Sequence, residues 1–520
     1  MASYFLDGNS LTIPAVYHIA VESAGVGVSP KARRNVKASR QLVDKWVRQD
    51  ETVYGVTTGF GEFSNVRIKA WDLEQLQENL ILSHAAGAGD PLPPEIVRAM
   101  MLLRINALAK GYSGIRQETL DLLVQMLNRN IVPVIPSQGS VGSSGDLVQL
   151  SHLVLAMIGR GTVWQNSGSK TRQISSLAAL KANRLRPVRL GAKEGLALIN
   201  GTQMMCAYAA LAVFEAQRLS TVADIAASIT IDALRGSDTP FDERIHRLRP
   251  HPGQVAVARN IRQLMKNSEI RESHRRGDPR VQDAYSIRCI PQVHGASRDA
   301  IAYAGQVTSV EINSATDNPL IFPKDGIHLE GGNFHGQPIA LAMDFLAIAL
   351  AELGSIAERR IERLVNGSLS GLPRFLTQNG GLHSGLMIAQ YTAASIVSEN
   401  KVLCHPGSVD SIPTSANQED HNSMGSISAQ KAWRVLKNVQ TILAIELLCA
   451  SQGLDFARLY KGEPALKAGK GVEAAFRIVR SLVPFLDRDR ILHNDIQRLL
   501  KLTRSDDLVS GVQRAIGKLQ

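Results

Sequence analysis

The stretch Gly139-Ser-Val-Gly-Ser-Ser-Gly-Asp146 contains three residues that could cyclise their own backbone. If the amide nitrogen of Gly145 attacks the carbonyl carbon of Ser143, a five-membered ring closes around Ser144. Loss of two waters, one from the attacked carbonyl and one from the Ser144 side chain, leaves a methylidene-imidazolone, which is an electrophile. Glycine suits the attacking position because it lacks a Cβ and reaches compressed backbone conformations.

The same stretch has a simpler interpretation. Clusters of Gly and Ser ahead of a helix usually form turns or anion-binding nests. Taken alone, Ser143-Ser-Gly-Asp146 favours such a turn over a reactive ring. The choice therefore depends on residues elsewhere in the chain.

An apolar helix is predicted directly after this stretch. Asp146 is placed as its N-cap, and apolar residues follow at helical spacing at Leu147, Leu150, Leu153, Val154 and Met157. A ring at 143–145 would then lie at a helix N-terminus, whose dipole favours negative charge on the ring.

Helical patterns dominate the rest of the chain, with short strands possible between Trp164 and Pro187. Helices are predicted from Pro30, after an N-cap at Ser29, and over 94–110, 117–128, 335–365 and 429–454. Long apolar helices are typical of a bundle, here one completed by neighbouring subunits. We expect an N-terminal domain over 1–205, carrying the Gly/Ser loop, and a long-helix bundle with a C-terminal helical region over 206–520.

The bulk composition excludes several function classes. The 520 residues are 44% hydrophobic and 20% charged, with a net charge of +11. The basic residues are spread out and lack interleaved aromatic residues, so we expect no nucleic-acid binding. A basic field that attracts carboxylate substrates is an alternative.

The cysteines and the apolar segments bear on metal binding and localisation. The four cysteines are far apart and form no CxxC pair, which predicts no metal site and a reduced cytoplasmic location. The N-terminal residues lack a basic region typical of a signal peptide. The most apolar segment, Ile339 to Leu353, contains Asp344 and Glu352, so no membrane span is expected.

Seven separated motifs occur in one order along the chain, and together they resemble those of the histidine and aromatic amino-acid ammonia-lyases. The resemblance covers about residues 5 to 500. The motifs are Tyr54-Gly-Val-Thr-Thr-Gly-Phe-Gly61, Leu82-Ser-His-Ala-Ala-Gly87, 139–152, Gly195-Leu-Ala-Leu-Ile-Asn-Gly-Thr202, Gln282-Asp-Ala-Tyr-Ser-Ile-Arg288, Gly331-Gly-Asn-Phe-His335 and Asn417-Gln-Glu-Asp-His421.

The resemblance implies a fold, an assembly and a cofactor. The fold would be mainly α, a long-helix bundle of the aspartase/fumarase-like ammonia-lyase type with a smaller N-terminal mixed region. A homotetramer with active sites shared between subunits is implied. The cofactor would be a 4-methylidene-imidazol-5-one formed from Ser143-Ser144-Gly145. The family usually has alanine where this chain has Ser143, but ring closure uses only the carbonyl of that residue.

The resemblance also implies catalytic roles. Tyr54 would remove the β-proton of the substrate. Tyrosine ionises near pH 10, so the Tyr54 pKa must be lowered or the enzyme must work at alkaline pH. Tyr285 and Asn200 would orient the substrate and the ring, and Phe334 would pack beside the ring.

Further motif residues are implied to bind the substrate. Arg288, in one segment with Gln282, suits a substrate carboxylate because its donors form a planar fork. His84 and Glu419, the latter beside Gln418, would contact the two nitrogens of an imidazole. A phenyl ring would leave Glu419 buried and unpaired, which is unfavourable.

Two further features bear on which substrate type the resemblance implies. Met387 resembles another pocket residue of the histidine-type enzymes, although such a methionine also suits core packing. In contrast, the stretch from Asp146 to His152 resembles some bacterial tyrosine ammonia-lyases.

With these residues, the resemblance implies that L-histidine is converted to trans-urocanate and ammonia. A tyrosine ammonia-lyase or a 2,3-aminomutase is the alternative with the same chemistry. A lyase for a betaine derivative of histidine is a more remote one. A helical scaffold that binds a polyanion is the non-enzymatic alternative.

Overall fold

The computed structural model describes residues 4–167, 170–458 and 465–520, and helices predominate in it. The helices of the described residues, apart from single 3-10 turns, are α1 (Ile13–Ala20), α2 (Pro30–Arg48), α3 (Leu73–His84), α4 (Pro94–Ala109), α5 (Gln117–Asn128), α6 (Leu147–Met157), α7 (Ser176–Ala182), α8 (Glu194–Ile199), α9 (Gln203–Ala233), α10 (Glu243–Arg247), α11 (Pro252–Leu264), α12 (Glu269–Ser273), α13 (Tyr285–Arg288), α14 (Ile290–Glu311), α15 (Gln337–Val365), α16 (Gly367–Ser370), α17 (Met387–Leu403), α18 (Gly425–Arg458), α19 (Lys470–Leu482), α20 (Leu492–Thr503) and α21 (Asp507–Ile516).

The strands are short and form separate pairs. They are β1 (Tyr4–Leu6), β2 (Val26–Val28), β3 (Ala88–Pro91), β4 (Pro136–Gln138), β5 (Thr162–Ser167), β6 (Lys170–Ser175), β7 (Leu320–Phe322) and β8 (Ile327–Leu329). β1 pairs with β2 in parallel, and the other three pairs are antiparallel. The predicted fold class, mainly α with long helices, is confirmed.

Several helix ends follow from local signals in the sequence. The Ser29 hydroxyl accepts the amide of Ala32 and caps α2, with Pro30 at the first helical position. α5 has the predicted bounds. α15 begins two residues later than predicted, whereas α18 extends beyond the predicted 429–454 at both ends.

The chain divides into two compact units. The first consists of residues 1–214, 304–344 and 406–430, and the second of 215–303, 345–405 and 431–520. Four of the five boundaries fall inside long helices, namely α9, α14, α15 and α18. The expected pair of domains over 1–205 and 206–520 stays a prediction.

The core helices are buried on nearly every side. Every residue of α4 from Ile96 to Ala109 is buried, including Arg98 and Arg104. α15 is long and apolar enough to cross a membrane by length and composition, but 67% of its most apolar window is buried. Such burial is what a core helix shows, because apolar side chains that face protein need no lipid.

Candidate active site

The Gly/Ser loop is bound to the loop that precedes α9. Gly145 has a φ of +72°, and a Cβ built on it would lie 2.1 Å from the carbonyl oxygen of Gly201. Only glycine fits such a left-handed and crowded position. The Asp146 amide donates to the same Gly201 oxygen at 2.8 Å. These contacts fix where the three candidate ring residues lie.

Asp146 caps a different helix from the one predicted. α6 begins after Asp146, but the carboxylate makes no capping bond to it. Instead, one oxygen accepts the amides of Met204 and Met205, at 2.8 and 3.0 Å, in the first turn of α9. Burial raises the pKa of Asp146 to about 7, although these amides oppose the shift. The sequence spacing correctly placed Asp146 just before α6, but tertiary contacts determine that its carboxylate caps α9.

Residues just before and at the start of α18 bind the other side of the loop. The Ser423 hydroxyl donates to the Gly142 carbonyl at 2.9 Å, and the Ser426 hydroxyl donates to the Ser140 carbonyl at 2.8 Å. The Met424 amide donates to the Val141 carbonyl at 2.8 Å. Since buried backbone groups need partners, these bonds fix the path of the loop ahead of Ser143.

A cavity of about 690 Å³ lies in the first unit beside this loop. It has the size of ordinary small-molecule sites. Eight of the residues singled out from the sequence line it, namely Tyr54, His84, Ser143, Ser144, Asn200, Phe334, Gln418 and Glu419. Gly145 belongs to the loop but is not among the lining residues. The structure thus brings together residues that are up to 365 positions apart in sequence.

The Glu419 carboxylate accepts hydrogen bonds from three hydroxyls at the cavity. Its Oε1 accepts the Ser144 hydroxyl at 2.8 Å. Its Oε2 accepts the Ser143 hydroxyl at 3.0 Å and the Thr414 hydroxyl at 2.7 Å. Hydroxyl donors within the protein thus hold both oxygens of this carboxylate as long as Ser144 keeps its hydroxyl.

The segment that carries Glu419 has an unusual backbone. Ser415, Ala416 and Asn417 all have a φ between 50° and 68°. Non-glycine residues adopt this left-handed region at a free-energy cost of about 1–3 kcal/mol each. Backbone hydrogen bonds between Thr414 and Glu419 in both directions close the segment. Strained backbone of this kind often occurs at functional sites.

Tyr54 lines the cavity with its hydroxyl near the backbone of the following loop. The Gly61 amide donates to the Tyr54 hydroxyl at 3.3 Å. Burial raises the pKa of Tyr54, and the charges of Glu419 and Glu330 raise it further, whereas the Gly61 amide lowers it. A catalytic base would need a lowered pKa, and the groups around Tyr54 in this chain do not produce one.

His84 is the last residue of α3, and its surroundings favour the neutral form of the ring. Burial lowers its pKa, although the Leu80 carbonyl and the Glu419 charge oppose the shift. The Ser83 hydroxyl lies 3.1 Å from His84 Nδ1. A neutral imidazole offers one donor and one acceptor, so His84 suits a polar ligand.

Asn200 presents an unsatisfied oxygen at the cavity. The side chain is 3% exposed and donates to the Asn318 carbonyl at 3.3 Å, but its Oδ1 has no partner. Behind it, the fully buried Arg104 donates to the Asn200 carbonyl at 3.0 Å and holds the backbone of this loop. A buried polar atom without a partner is costly, so Asn200 Oδ1 is an expected ligand contact.

Four residues singled out from the sequence lie in the second unit and do not line the cavity. They are Gln282, Tyr285, Arg288 and Met387. Tyr285 is 70% exposed, and the Arg288 guanidinium lies 4.3 Å from the centre of its ring. No carboxylate among the described residues pairs with Arg288, and its buried Nε has no hydrogen-bond partner. This segment therefore presents an unneutralised cation.

Several lining residues were not singled out from the sequence. Glu330, His335, Asp420 and His421 lie in or beside two of the seven motifs, so the motifs themselves were the available signal. The His335 and His421 rings stack with centroids 5.8 Å apart. Thr414, which holds Glu419 without lining the cavity, had no comparable signal, because its bond to Glu419 depends on the left-handed segment between them.

The cavity is acidic at its wall. Glu330, Glu419 and Asp420 line it, and none of the described lining side chains is Lys or Arg. Among the described residues, no cluster of three or more His, Cys, Asp and Glu side chains has metal-binding geometry. A ligand with a carboxylate would thus find no cation among these lining residues.

Comparison with known proteins gives consistent matches over nearly the whole chain. The sequence pattern described as "Aromatic amino acid lyase" matches residues 11–481. A histidine ammonia-lyase from Caldanaerobacter subterraneus subsp. tengcongensis is 55% identical over 97% of both chains.

Two solved structures are also similar. A histidine ammonia-lyase from Trypanosoma cruzi is 46% identical with a TM-score of 0.90, over 99% of this chain and 95% of the other. A tyrosine aminomutase from Streptomyces globisporus is 39% identical with a TM-score of 0.93, over 99% and 100%. The chain therefore belongs to the aromatic amino acid lyase family.

Proposed function

We propose that the protein is a carbon–nitrogen lyase that converts L-histidine to trans-urocanate and ammonia. The observation that carries this proposal is the cavity that brings His84 and Glu419 to the Ser143-Ser144 pair. An imidazole has one donor and one acceptor nitrogen when neutral. A carboxylate oxygen and a neutral histidine ring can satisfy both.

The similar proteins support histidine over tyrosine. The relative that is 55% identical is named a histidine ammonia-lyase, whereas the tyrosine aminomutase is 39% identical. Fold similarity does not separate the two activities, since both solved structures have TM-scores of at least 0.90. The distinction therefore depends on which side chains face the substrate.

The residues at 143–145 fit a methylidene-imidazolone. Gly145 lies in a cradle that a Cβ would fill, and Asn200 Oδ1 is a buried acceptor without a partner beside the loop. The dehydrated ring would supply an electrophile that draws electrons from the substrate and so weakens its bond to the amino group. Ser143 and Gly145 would hold it within the backbone, and the start of α6 follows it directly.

Tyr54 is proposed to take the β-proton on its hydroxyl oxygen. Its pKa is raised by burial and by two carboxylates, so a cation must offset these charges or the reaction must be faster at alkaline pH. The ammonium group of the substrate carries such a charge into the cavity. His84 and Glu419 would meanwhile orient the imidazole.

Arg288 is proposed to bind the substrate carboxylate from a second copy of the chain, within a cytoplasmic homotetramer that shares its active sites. Two observations support this. The described wall of the cavity has no Lys or Arg, and the segment with the exposed Tyr285 and the unpaired Arg288 lies outside it. Bidentate recognition of a carboxylate is what a guanidinium does best.

The proposal is tested by offering L-histidine, L-tyrosine and L-phenylalanine separately and following near-ultraviolet absorbance. We expect a conjugated acrylate to accumulate from histidine alone. Product from tyrosine but not from histidine would overturn the assigned roles of His84 and Glu419. Chromatography of the product separates an acrylate from a β-amino acid, which an aminomutase would form.

The ring is tested independently by the mass of the intact protein. Two lost waters lower the mass by about 36 Da relative to the encoded chain. We expect the Ser144→Ala variant to lack this deficit and to lose nearly all turnover, because no hydroxyl remains to leave. An unmodified mass in the active wild-type protein would exclude the ring.

A further inference from the structure

The hydroxyls around Glu419 are not equivalent. Ser144 donates to Oε1, whereas Ser143 and Thr414 both donate to Oε2. Under the proposed function, the Ser144 hydroxyl leaves as water when the ring forms, so its bond to Oε1 is lost. The Ser143 hydroxyl takes no part in that chemistry, because only the carbonyl of Ser143 is used.

We infer that Ser143 is a positioning residue for Glu419 and thereby a determinant of imidazole recognition. This inference rests on the proposed function. Ser143 and Thr414 together keep Oε2 occupied, and Oε1 is the oxygen released toward the ligand when Ser144 loses its hydroxyl. An N–H of the substrate imidazole then takes the place that the Ser144 hydroxyl held.

The geometry supports this division of the two oxygens. Ser143 is 5% exposed, so its hydroxyl does not exchange freely between Glu419 and water. A hydroxyl has only one proton to donate, and both Ser143 and Thr414 donate theirs to the same oxygen. Bonds from neutral donors to a carboxylate are short and directional. Two of them fix the rotation of the carboxylate about its last bond.

With alanine at position 143, Oε2 would keep a single hydroxyl donor. The carboxylate could then rotate, and Oε1 would spend less time in the orientation that accepts the imidazole N–H. Losing one hydrogen bond of this kind weakens ligand binding by about two- to tenfold. The effect should appear in imidazole affinity and in the KM for histidine, with a smaller change in kcat.

The first test measures binding without turnover. The Ser144→Ala variant lacks both the ring and the Ser144 hydroxyl, so it leaves Oε1 free in an inactive protein. Imidazole is titrated calorimetrically into this variant and into Ser143→Ala/Ser144→Ala. We expect the double variant to bind about two- to tenfold more weakly. Equal affinities would overturn the inference.

The same binding measurement also tests whether Ser143 acts through Glu419. Both titrations are repeated with Glu419→Ala added. Removing the Ser143 hydroxyl should then cause no further loss, because the carboxylate it positions is gone. An undiminished loss in this background would mean that Ser143 acts by another route, and the inference would be wrong.

The second test uses the Ser143→Ala single variant, which should still form the ring. Its intact mass should show the same deficit of about 36 Da as the wild type, while its KM for histidine rises. Ser143→Thr retains a hydroxyl and should restore most of the affinity. The matched control is Ser151→Ala, a buried serine of α6 that donates to the Leu147 carbonyl and does not line the cavity.

The proposed function and the positioning role of Ser143 fail under different outcomes. If wild-type protein makes no urocanate from histidine, the proposed function fails. If it does so but Ser143→Ala changes neither imidazole affinity nor the KM, only the positioning role fails.

Discussion

Carboxylates in two regions of the molecule are held in different ways. In the cavity of the first unit, Glu419 accepts three hydroxyls, and no described Lys or Arg pairs with it. In the second unit, the fully buried Glu446 accepts both Nε and Nη2 of the buried Arg360, the latter at 2.9 Å. Asp224 likewise lies 2.7 Å from Arg298.

Glu419 is therefore available to a ligand, whereas the charges of Glu446 and Asp224 are already neutralised by arginine side chains. A buried ion pair has its attraction satisfied within the protein and leaves little for a ligand. Neutral hydroxyls orient a carboxylate without cancelling its charge, so a ligand that brings a donor still gains by binding. For Glu419, Glu446 and Asp224, the kind of partner thus distinguishes the acid that is open to a ligand from the two that are paired within the fold.

The largest expected effects concern Tyr54, which lines the cavity, and Arg288, the cation proposed to reach the cavity from another copy of the chain. Tyr54→Phe should lower turnover by about 10²–10⁴-fold, the range of a proton-transfer group, and Arg288→Ala should also be nearly inactive. If the two groups serve one site from different copies, co-expressing the two variants should restore a measurable fraction of the activity. Assays of the mixed oligomer and of each variant alone give the answer. No recovery in a mixed oligomer would place both groups in one copy.

Glu446→Gln should destabilise the fold strongly, because it leaves Arg360 buried without a charged partner. The expected loss is about 3–5 kcal/mol in the free energy of unfolding, measured with denaturant. The control is Glu399→Gln, which breaks an exposed pair with Arg434 and should cost less than about 1 kcal/mol. Equal losses in the two variants would remove the distinction drawn for Glu446.

Glu419→Gln should have the opposite profile. We expect kcat/KM for histidine to fall by about tenfold to a hundredfold, since a hydrogen bond to a charged group contributes about 1.5–3 kcal/mol. The free energy of unfolding should change by less than about 0.5 kcal/mol, as no buried cation is left unpaired. Steady-state kinetics and unfolding are measured on the same preparation. A large loss of stability with unchanged kinetics would make Glu419 a structural acid.

The smallest expected effect is a pH dependence of stability from the second unit. Burial lowers the pKa of His294, which lies 2.8 Å from Asp224 and 3.3 Å from Arg360. The folded state therefore disfavours the protonated ring, whereas the unfolded chain binds a proton below about pH 6.5. Stability should therefore fall as the pH drops below 6.5, by about 1.4 kcal/mol per unit of pKa difference.

Thermal unfolding between pH 5 and 7 measures this dependence. His294→Gln should reduce it, since glutamine can still donate to Asp224 but does not titrate. His251→Gln, at an exposed position, is the control and should leave the slope as it is in the wild type. An unchanged slope in His294→Gln would assign the effect to other groups.

Local patterns in the sequence predicted the helices well and the site contacts only in part. The N-cap at Ser29 and the bounds of α5 depend on neighbouring residues, so spacing was sufficient. Family motifs indicated Tyr54, His84 and Glu419, and the structure places all three around one cavity. Their roles stay predictions.

What the sequence could not supply is set by tertiary contacts. Asp146 caps α9 rather than α6, because the fold brings the Met204 and Met205 amides to it. The bond from Thr414 to Glu419 needs three left-handed residues that no spacing rule predicts. The direction of the Tyr54 pKa depends on burial and on acids far away in sequence.

The left-handed stretch from Ser415 to Asn417 limits how this site can be reproduced elsewhere. As a free peptide, the segment from Thr414 to Glu419 would relax to extended or right-handed conformations, because these residues prefer them. Its carboxylate would then leave the place where Ser143 and Ser144 meet it. The position of Glu419 is therefore a property of the whole folded unit. Grafting this segment onto another scaffold would transfer the residues without the geometry.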